Sequence, residues 1–176
     1  MQRFLQSLPY LLFLSLILIF SNINAQDRLY NTMAVLVFEG NGIGQSESDA
    51  ITDQFTIELK NTQSVLAIVS KEIVKEILDE RQLSDKICTN ESCAMEIGEI
   101  LGVDHVVIGS VTKSENWFSM EVEIISVETG VVDSRKSFYM GDPNGLIVEI
   151  GLLAWNLMNK VSPHSLLEEK AKKERE

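Results

Sequence analysis

Thr32 to Phe38 is a near-continuous apolar run, the pattern of a strand buried on both faces. Glu39 to Gln45 interrupts it with Gly40, Gly42 and Gly44 and reads as a loop. Ser46 then stands as a helix cap with Asp49 at the third position. Ile51, Phe55 and Leu59 recur every four residues, which predicts a helix with one buried face, stopping at Asn61. Ser64 to Val69 is a second short apolar strand. Ser70 caps a helix whose face is Ile73, Val74, Ile77 and Leu78, and Arg81 to Lys86 is polar loop. The next helix runs from about Asn90 to Leu101, presents Cys93, Ile97, Ile100 and Leu101, and ends at Gly102. Gly98 is costly inside a helix, so another backbone is expected to approach it closely.

The periodicity then changes. Asp104 to Thr112, Trp117 to Val127 and Val131 to Met140 are successive strands with hairpin-sized connections. In the second, Phe118, Met120, Val122 and Ile124 share one face, while Ser119, Glu121 and Glu123 share the other. A three-residue loop at Glu128–Gly130 sets Val127 against Val131, Glu123 against Arg135 and Met120 against Phe138. Asp142-Pro143 reads as a cap with proline at the first helical position. The helix after it carries Leu146, Ile147, Ile150, Leu153, Ala154, Leu157, Met158 and Val161, and Pro163 ends it. The order β-α-β-α-α-β-β-β-α predicts a two-layer α/β sandwich with a mixed five-stranded sheet and a C-terminal helix.

The first 25 residues bear on destination. Arg3 is the only charge before Asp27, Leu11 to Phe20 is apolar apart from Ser15, and Ala25 offers a small residue for cleavage. This reads as a secretory signal peptide, being short for a span that needs roughly 20 apolar residues. An uncleaved anchor is the alternative. The expected organisation is residues 1–25 as signal, 26–163 as one α/β domain and 164–176 as a charged tail. No cysteine near Ala25 supports a lipid anchor, and no later stretch reads as a membrane span, so the expected product is soluble, in the periplasm or secreted. Without Arg3 the charge is 26 acids against 14 bases, or −12. That field repels phosphate backbones, which argues against nucleic acid as a partner.

Cys88 and Cys93 are the only cysteines. In an oxidising compartment a disulfide is expected, stabilising the fold by roughly 2 kcal/mol in the chain-entropy model. Free thiols are an alternative. A metal site is a weaker one, because only His105 and His164 supply further nitrogen ligands.

Ala34-Val35-Leu36-Val37-Phe38, the glycine segment, the helix containing Leu59 and the block Cys88 to Gly109 together resemble the curli-secretion-channel-like (CsgG-like) domains of bacterial envelopes. Glu91-Ser92-Cys93-Ala94 and Glu96-Ile97-Gly98-Glu99-Ile100-Leu101-Gly102-Val103-Asp104 carry the pattern, with Val103 for the usual alanine. The resemblance spans about residues 32–161. It extends in fold to penicillin-binding-protein activator lipoproteins and the N-terminal domain of TolB. It implies an envelope protein acting on other proteins, with oligomeric state open because relatives include both rings and single chains. The membrane hairpins of the curli channel have no room in connections this short, so a self-sufficient pore is not expected.

Catalytic constellations are weak. Gly40-x-Gly42-x-Gly44 lacks both the dinucleotide spacing and a following Gly-Lys-Ser/Thr, so a flexible loop outweighs a phosphate site. His105 opens an apolar strand and reads as structural, and His164 lies near the tail. Glu121 and Glu123 share a face as paired carboxylates do, yet cations from Arg135 or Lys136 lie opposite and favour a solvated sheet face. No cofactor or metal is expected. The candidate interface residues are Gly40, Gly42, Gly44, Trp117, Glu121 and Glu123. The reading is a non-enzymatic accessory or adaptor protein, with a small-ligand module as the alternative and a hydrolase as the least favoured.

Overall fold

The computed structural model describes residues 29–83, 88, 90–141, 143–173 and 175. The expected signal segment, the expected Asp142 cap and residues 84–86 of the expected polar loop lie outside the described residues. The elements are β1 (Tyr30–Val35), β2 (Glu39–Asn41), α1 (Gln45–Asn61), β3 (Val65–Ile68), α2 (Lys71–Glu80), α3 (Glu91–Leu101), β4 (His105–Ser114), β5 (Trp117–Ser126), β6 (Val132–Met140), α4 (Pro143–Leu157) and α5 (His164–Lys173).

They form the expected mixed α/β architecture, with six strands among the described residues rather than five. The order is β3-β1-β4-β5-β6; β1 is parallel to β3 and β4, and the β4-β5-β6 meander is antiparallel. The extra strand is β2, taken from the segment expected to be loop. β1 pairs only with the first part of β4, and β2 takes over along its outer half, Gly40 opposite Val111 and Asn41 opposite Thr112. A strand without apolar alternation forms there because β4 has backbone donors and acceptors to satisfy on that side.

Alternation along the strands sends apolar groups to both faces. One cluster joins Met33, Val107, Val111, Phe118, Met120, Val122 and Ile124 to Phe55 and Leu59 of α1 and Ile150, Leu153 and Leu157 of α4. Phe55 and Phe118 are fully buried there, each stabilising by roughly 1.5–3 kcal/mol. The second cluster sets Ala34, Leu36, Val106, Ile108 and Ile125 under Ala94 and Ile97 of α3, with Val74 of α2 at its margin. This second helical layer stops short. Beyond Ile108 on β4 and Ile125 on β5 the same face carries Ser110, Thr112, Glu123, Glu121 and Ser119, all partly exposed.

Two helix boundaries and two side-chain placements differ from expectation. α1 begins a residue before Ser46, with Gly44 as its cap and Glu47 and Ser48 donating to the Gly44 carbonyl. α4 ends at Leu157 rather than running to Pro163. There Asn159 takes φ 54°, and Lys160 N–H donates to the Trp155 carbonyl at 3.0 Å, so the helix closes on its own terminal carbonyls and Val161 is left exposed. Ile73 and Ile147, expected on buried faces, are exposed, since α2 buries only Val74 fully and α4 turns Leu146 and Ile150 inward. The Ser70 and Gly102 signals hold: Ile73 N–H donates to Ser70 Oγ, and Gly102 adopts φ +66°. The expected tail contains α5, which lies against α4 through Lys170 Nζ to Glu149 Oε1 at 2.7 Å.

The β5–β6 register is one residue from expectation. Glu121 faces Lys136, Val122 faces Arg135 and Met120 faces Ser137. Val127 does not close the hairpin; its N–H donates to the Asp104 carbonyl at 2.9 Å, while Ser126 N–H takes the Val131 carbonyl at 3.0 Å. The turn is therefore Val127–Gly130, and the slip of one moves every β6 side chain to the other face.

Candidate functional site

Trp117, Glu121 and Glu123 occupy alternate positions of β5 and so share the uncovered part of the sheet face. Their neighbours across β6 are Met140, Lys136 and Ser134, and Phe138 sits opposite Ser119. The Trp117 and Phe138 rings stack with centroids 5.3 Å apart at 27°. Phe138 is 60% exposed and Met140 is 70% exposed. Two large apolar side chains beside a tryptophan make a contiguous patch at one corner of the face. Sequence reasoning missed Phe138 and Met140 because the expected register placed Phe138 against Met120, in the core. The signal was present in the strict alternation Ser134, Lys136, Phe138, Met140, once the turn is counted as four residues.

Next to this patch lies a depression of about 140 Å³ lined by Glu39, Cys88, Ile108, Gly109, Ser110, Glu121 and Glu123. Lys136 Nζ reaches Glu121 Oε1 at 2.8 Å. The Glu123 carboxyl is pushed above the usual glutamate range, first by burial, then by the Glu121 and Glu91 charges, with Lys136 opposing. Among the described residues, three carboxylates line the depression, a fourth from Glu91 acts on it, and one ammonium reaches it.

The glycine segment frames the same end of the sheet. Asn41 pairs with Thr112, two residues before Ser114, which faces Trp117 across the β4–β5 hairpin. Gly40 lies within β2. Gly42 has φ +78°, and a Cβ on it would stand 2.6 Å from the Lys113 carbonyl oxygen, so only glycine fits. Gly44 is the α1 cap. Phe38 anchors the start of the segment: its N–H donates to Thr52 Oγ1 at 3.0 Å, and its carbonyl accepts from Ser48 Oγ. The loop is thus a short edge strand with a fixed turn.

Other sequence candidates fall elsewhere. Cys88 and Cys93 are paired, with Cα atoms 5.4 Å apart, and Asn90 Oδ1 beside them caps α3 by accepting from Cys93 N–H at 3.0 Å. His105 is half-buried at the opposite end of β4, edge-on to Tyr30 with ring centroids 4.8 Å apart, and its pKa is lowered by burial against the raising effect of Asp104. Among the described residues no three His, Cys, Asp or Glu side chains converge to hold a metal ion, and no helix is long and apolar enough to cross a membrane.

The family profile described as curli production assembly/transport component CsgG matches residues 30–127, from β1 through the end of β5. The chain belongs to the CsgG family. Fold relatives of this CsgG-family chain share little sequence with it. The C-terminal domain of LpoB from Escherichia coli superposes with a TM-score of 0.53 at 17% identity, covering 68% of this chain and 90% of that one. Lipoprotein GNA1162 from Neisseria meningitidis gives 0.53 at 13% identity, with 80% and 91% covered. The PelC dodecamer from Paraburkholderia phytofirmans gives 0.50 at 14% identity, with 78% and 92% covered. No curated protein sequence matches the chain.

Proposed function

We propose that this CsgG-family chain is a non-enzymatic, exported envelope protein that acts as an accessory or adaptor in assembly or secretion, through protein–protein contacts on the open sheet face. One observation carries the reading. Beyond the first turn of α3 the sheet face has no covering layer among the described residues and bears the Trp117–Phe138–Met140 patch, of the residue types that interface cores favour. Glu121 and Glu123 continue that surface, and Gly40, Gly42 and Gly44 shape its rim. The family's description as a curli production assembly/transport component and the lipoprotein GNA1162 among the fold relatives support an envelope setting. PelC, as a dodecamer, makes self-assembly an outcome to be measured.

The experiment is to express the full chain in its native envelope, fractionate it and sequence the mature N-terminus, with a photo-crosslinking residue at Ser119. Recovery outside the cytoplasm, starting after Ala25, together with a discrete cross-linked protein lost on Phe138→Ser, is the expected result. A chain retained in the cytoplasm, or cross-links indifferent to Phe138, would overturn the reading.

A small-ligand module is the second reading. It draws on a crevice of about 410 Å³ between α1 and α2, lined by Val37, Thr56, Lys60, Ser70, Lys71 and Lys75 among others. It lies at the carboxyl ends of β1 and β3, where open α/β sheets take ligands. Lys71 is already engaged there by Asp53 at 2.9 Å. A melting temperature raised by a small molecule alone, with no cross-linked protein, would favour this module.

A further inference from the structure

We infer that the open sheet face receives an amphipathic, cationic helix of a partner protein. Its apolar side chains seat on Trp117, Phe138 and Met140, and a Lys or Arg enters the depression between Glu39, Glu121 and Glu123. This rests on the protein–protein reading above and names the partner's chemistry.

The shape argues for a helix. α3 already covers the first part of this face, packing on Val106, Ile108 and Ile125. A sheet face bearing large apolar groups is stable when a second layer covers it. The residues next in line are small, Ser110, Thr112 and Ser119, and leave room for a helix to lie beside them.

The charge argues for a cation and against a second copy. The depression gathers Glu39, Glu121 and Glu123, with Glu91 near enough to act on Glu123, and Lys136 offsets only part of that charge among the described residues. A second copy of a chain carrying −11 brings the same sign of field. A basic partner is attracted, and its cation supplies what the crowded carboxylates lack.

The spacing joins the two halves. Trp117 and Glu121 are four residues apart on one strand, roughly 13 Å at the usual rise. A helix presents side chains on one face roughly 12 Å apart over eight residues. One helical face therefore meets both the aromatic corner and the acidic depression.

The test uses a synthetic helical peptide on an Ala/Gln background, with two Phe in its first half and two Arg two turns later on the same face. A second version carries Glu for Arg, and a third Ala for Phe. Binding to the purified full chain is measured by calorimetry at low and high salt. The Arg/Phe peptide is expected to bind at least about tenfold more tightly than the Glu version and to weaken with salt. The double substitution Glu121→Gln with Glu123→Gln should abolish that preference. Phe138→Ser should weaken binding about tenfold while the melting curve stays intact. Equal binding of the Arg and Glu versions, or no binding of either, overturns the inference. A partner still captured at Ser119 in the envelope would then leave the protein–protein reading standing. Concentration-dependent dimerisation lost on Phe138→Ser would overturn it in favour of a second copy.

Discussion

Gly98 and Val127 form one packing unit: α3 crosses the end of β5 so closely that a Cβ on Gly98 would collide with Val127 and stand 2.8 Å from Val106 Cγ2. Both neighbours are β-branched, with little freedom to turn aside. Gly98→Ala should therefore destabilise, overpacking at about 1–3 kcal/mol outweighing the roughly 1 kcal/mol gained in helix propensity. Urea denaturation is the measurement. Adding Val127→Ala to Gly98→Ala should cost less than the sum of the two single substitutions. Additive costs would mean that the two positions do not touch.

This pair also shows why one part of the fold was legible and another was not. A glycine inside an otherwise regular helical pattern announces a close approach, and the approach is there, to strand side chains rather than backbone. Its partner was hidden, because Val127 reads as the last residue of a strand until its N–H is seen to take the Asp104 carbonyl. In β6 both alternations contain an aromatic, Phe138 in one and Tyr139 in the other, so pattern alone does not choose the register. The exposed corner of the candidate site depends on that choice, while the face shared by Trp117, Glu121 and Glu123 follows from alternation within β5 alone and was legible. β2 was illegible for a different reason: it exists because β4 needs a backbone partner, not because Glu39-Gly40-Asn41 favours a strand.

Ser48 and Thr52 hold the entry to β2 from inside. Thr52 Oγ1 accepts from Phe38 N–H and donates to the Ser48 carbonyl at 2.9 Å, and Ser48 Oγ donates to the Phe38 carbonyl, all of it buried. Thr52→Val keeps the shape and leaves the Phe38 N–H unsatisfied, at about 1–3 kcal/mol. The expected result is a lower melting temperature and faster amide exchange from Glu39 to Asn41, with the α4 core unchanged. Unaltered exchange in β2 would show that this clamp does not position Glu39.

Acid sensitivity should arise at the other end of β4. Hydrogen bonds from the Thr32 side chain and N–H hold the Asp104 carboxyl below its ordinary 3.8, and burial holds His105 below 6.5. Both shifts act in one direction. The stability from His105 is complete above pH 6.5 and is lost as pH falls through its lowered value. That from Asp104 is complete above 3.8 and is lost on further acidification. His105→Phe should flatten the melting temperature just below pH 6.5, and Thr32→Val should flatten the limb below 3.8. Profiles parallel to that of the unmodified chain in both ranges would assign acid denaturation elsewhere.

Glu123 works with the opposite sign, and this separates function from fold. Its carboxyl titrates above the ordinary 4.5, so the stability linked to it is complete below 4.5 and is lost as pH rises through the raised value. At neutral pH the charged Glu123 is a cost to the folded chain, crowded by Glu121 and Glu91. Glu123→Gln should therefore raise the melting temperature at pH 7, with the gain vanishing below pH 4.5. If the carboxylate served only the fold, the more stable variant would lose nothing. If it waits for a partner's cation, the same substitution weakens binding of the Arg/Phe peptide while strengthening the domain, because residues kept against stability are characteristic of binding surfaces. A variant no more stable at pH 7, or equally able to bind the peptide, would remove Glu123 from the site.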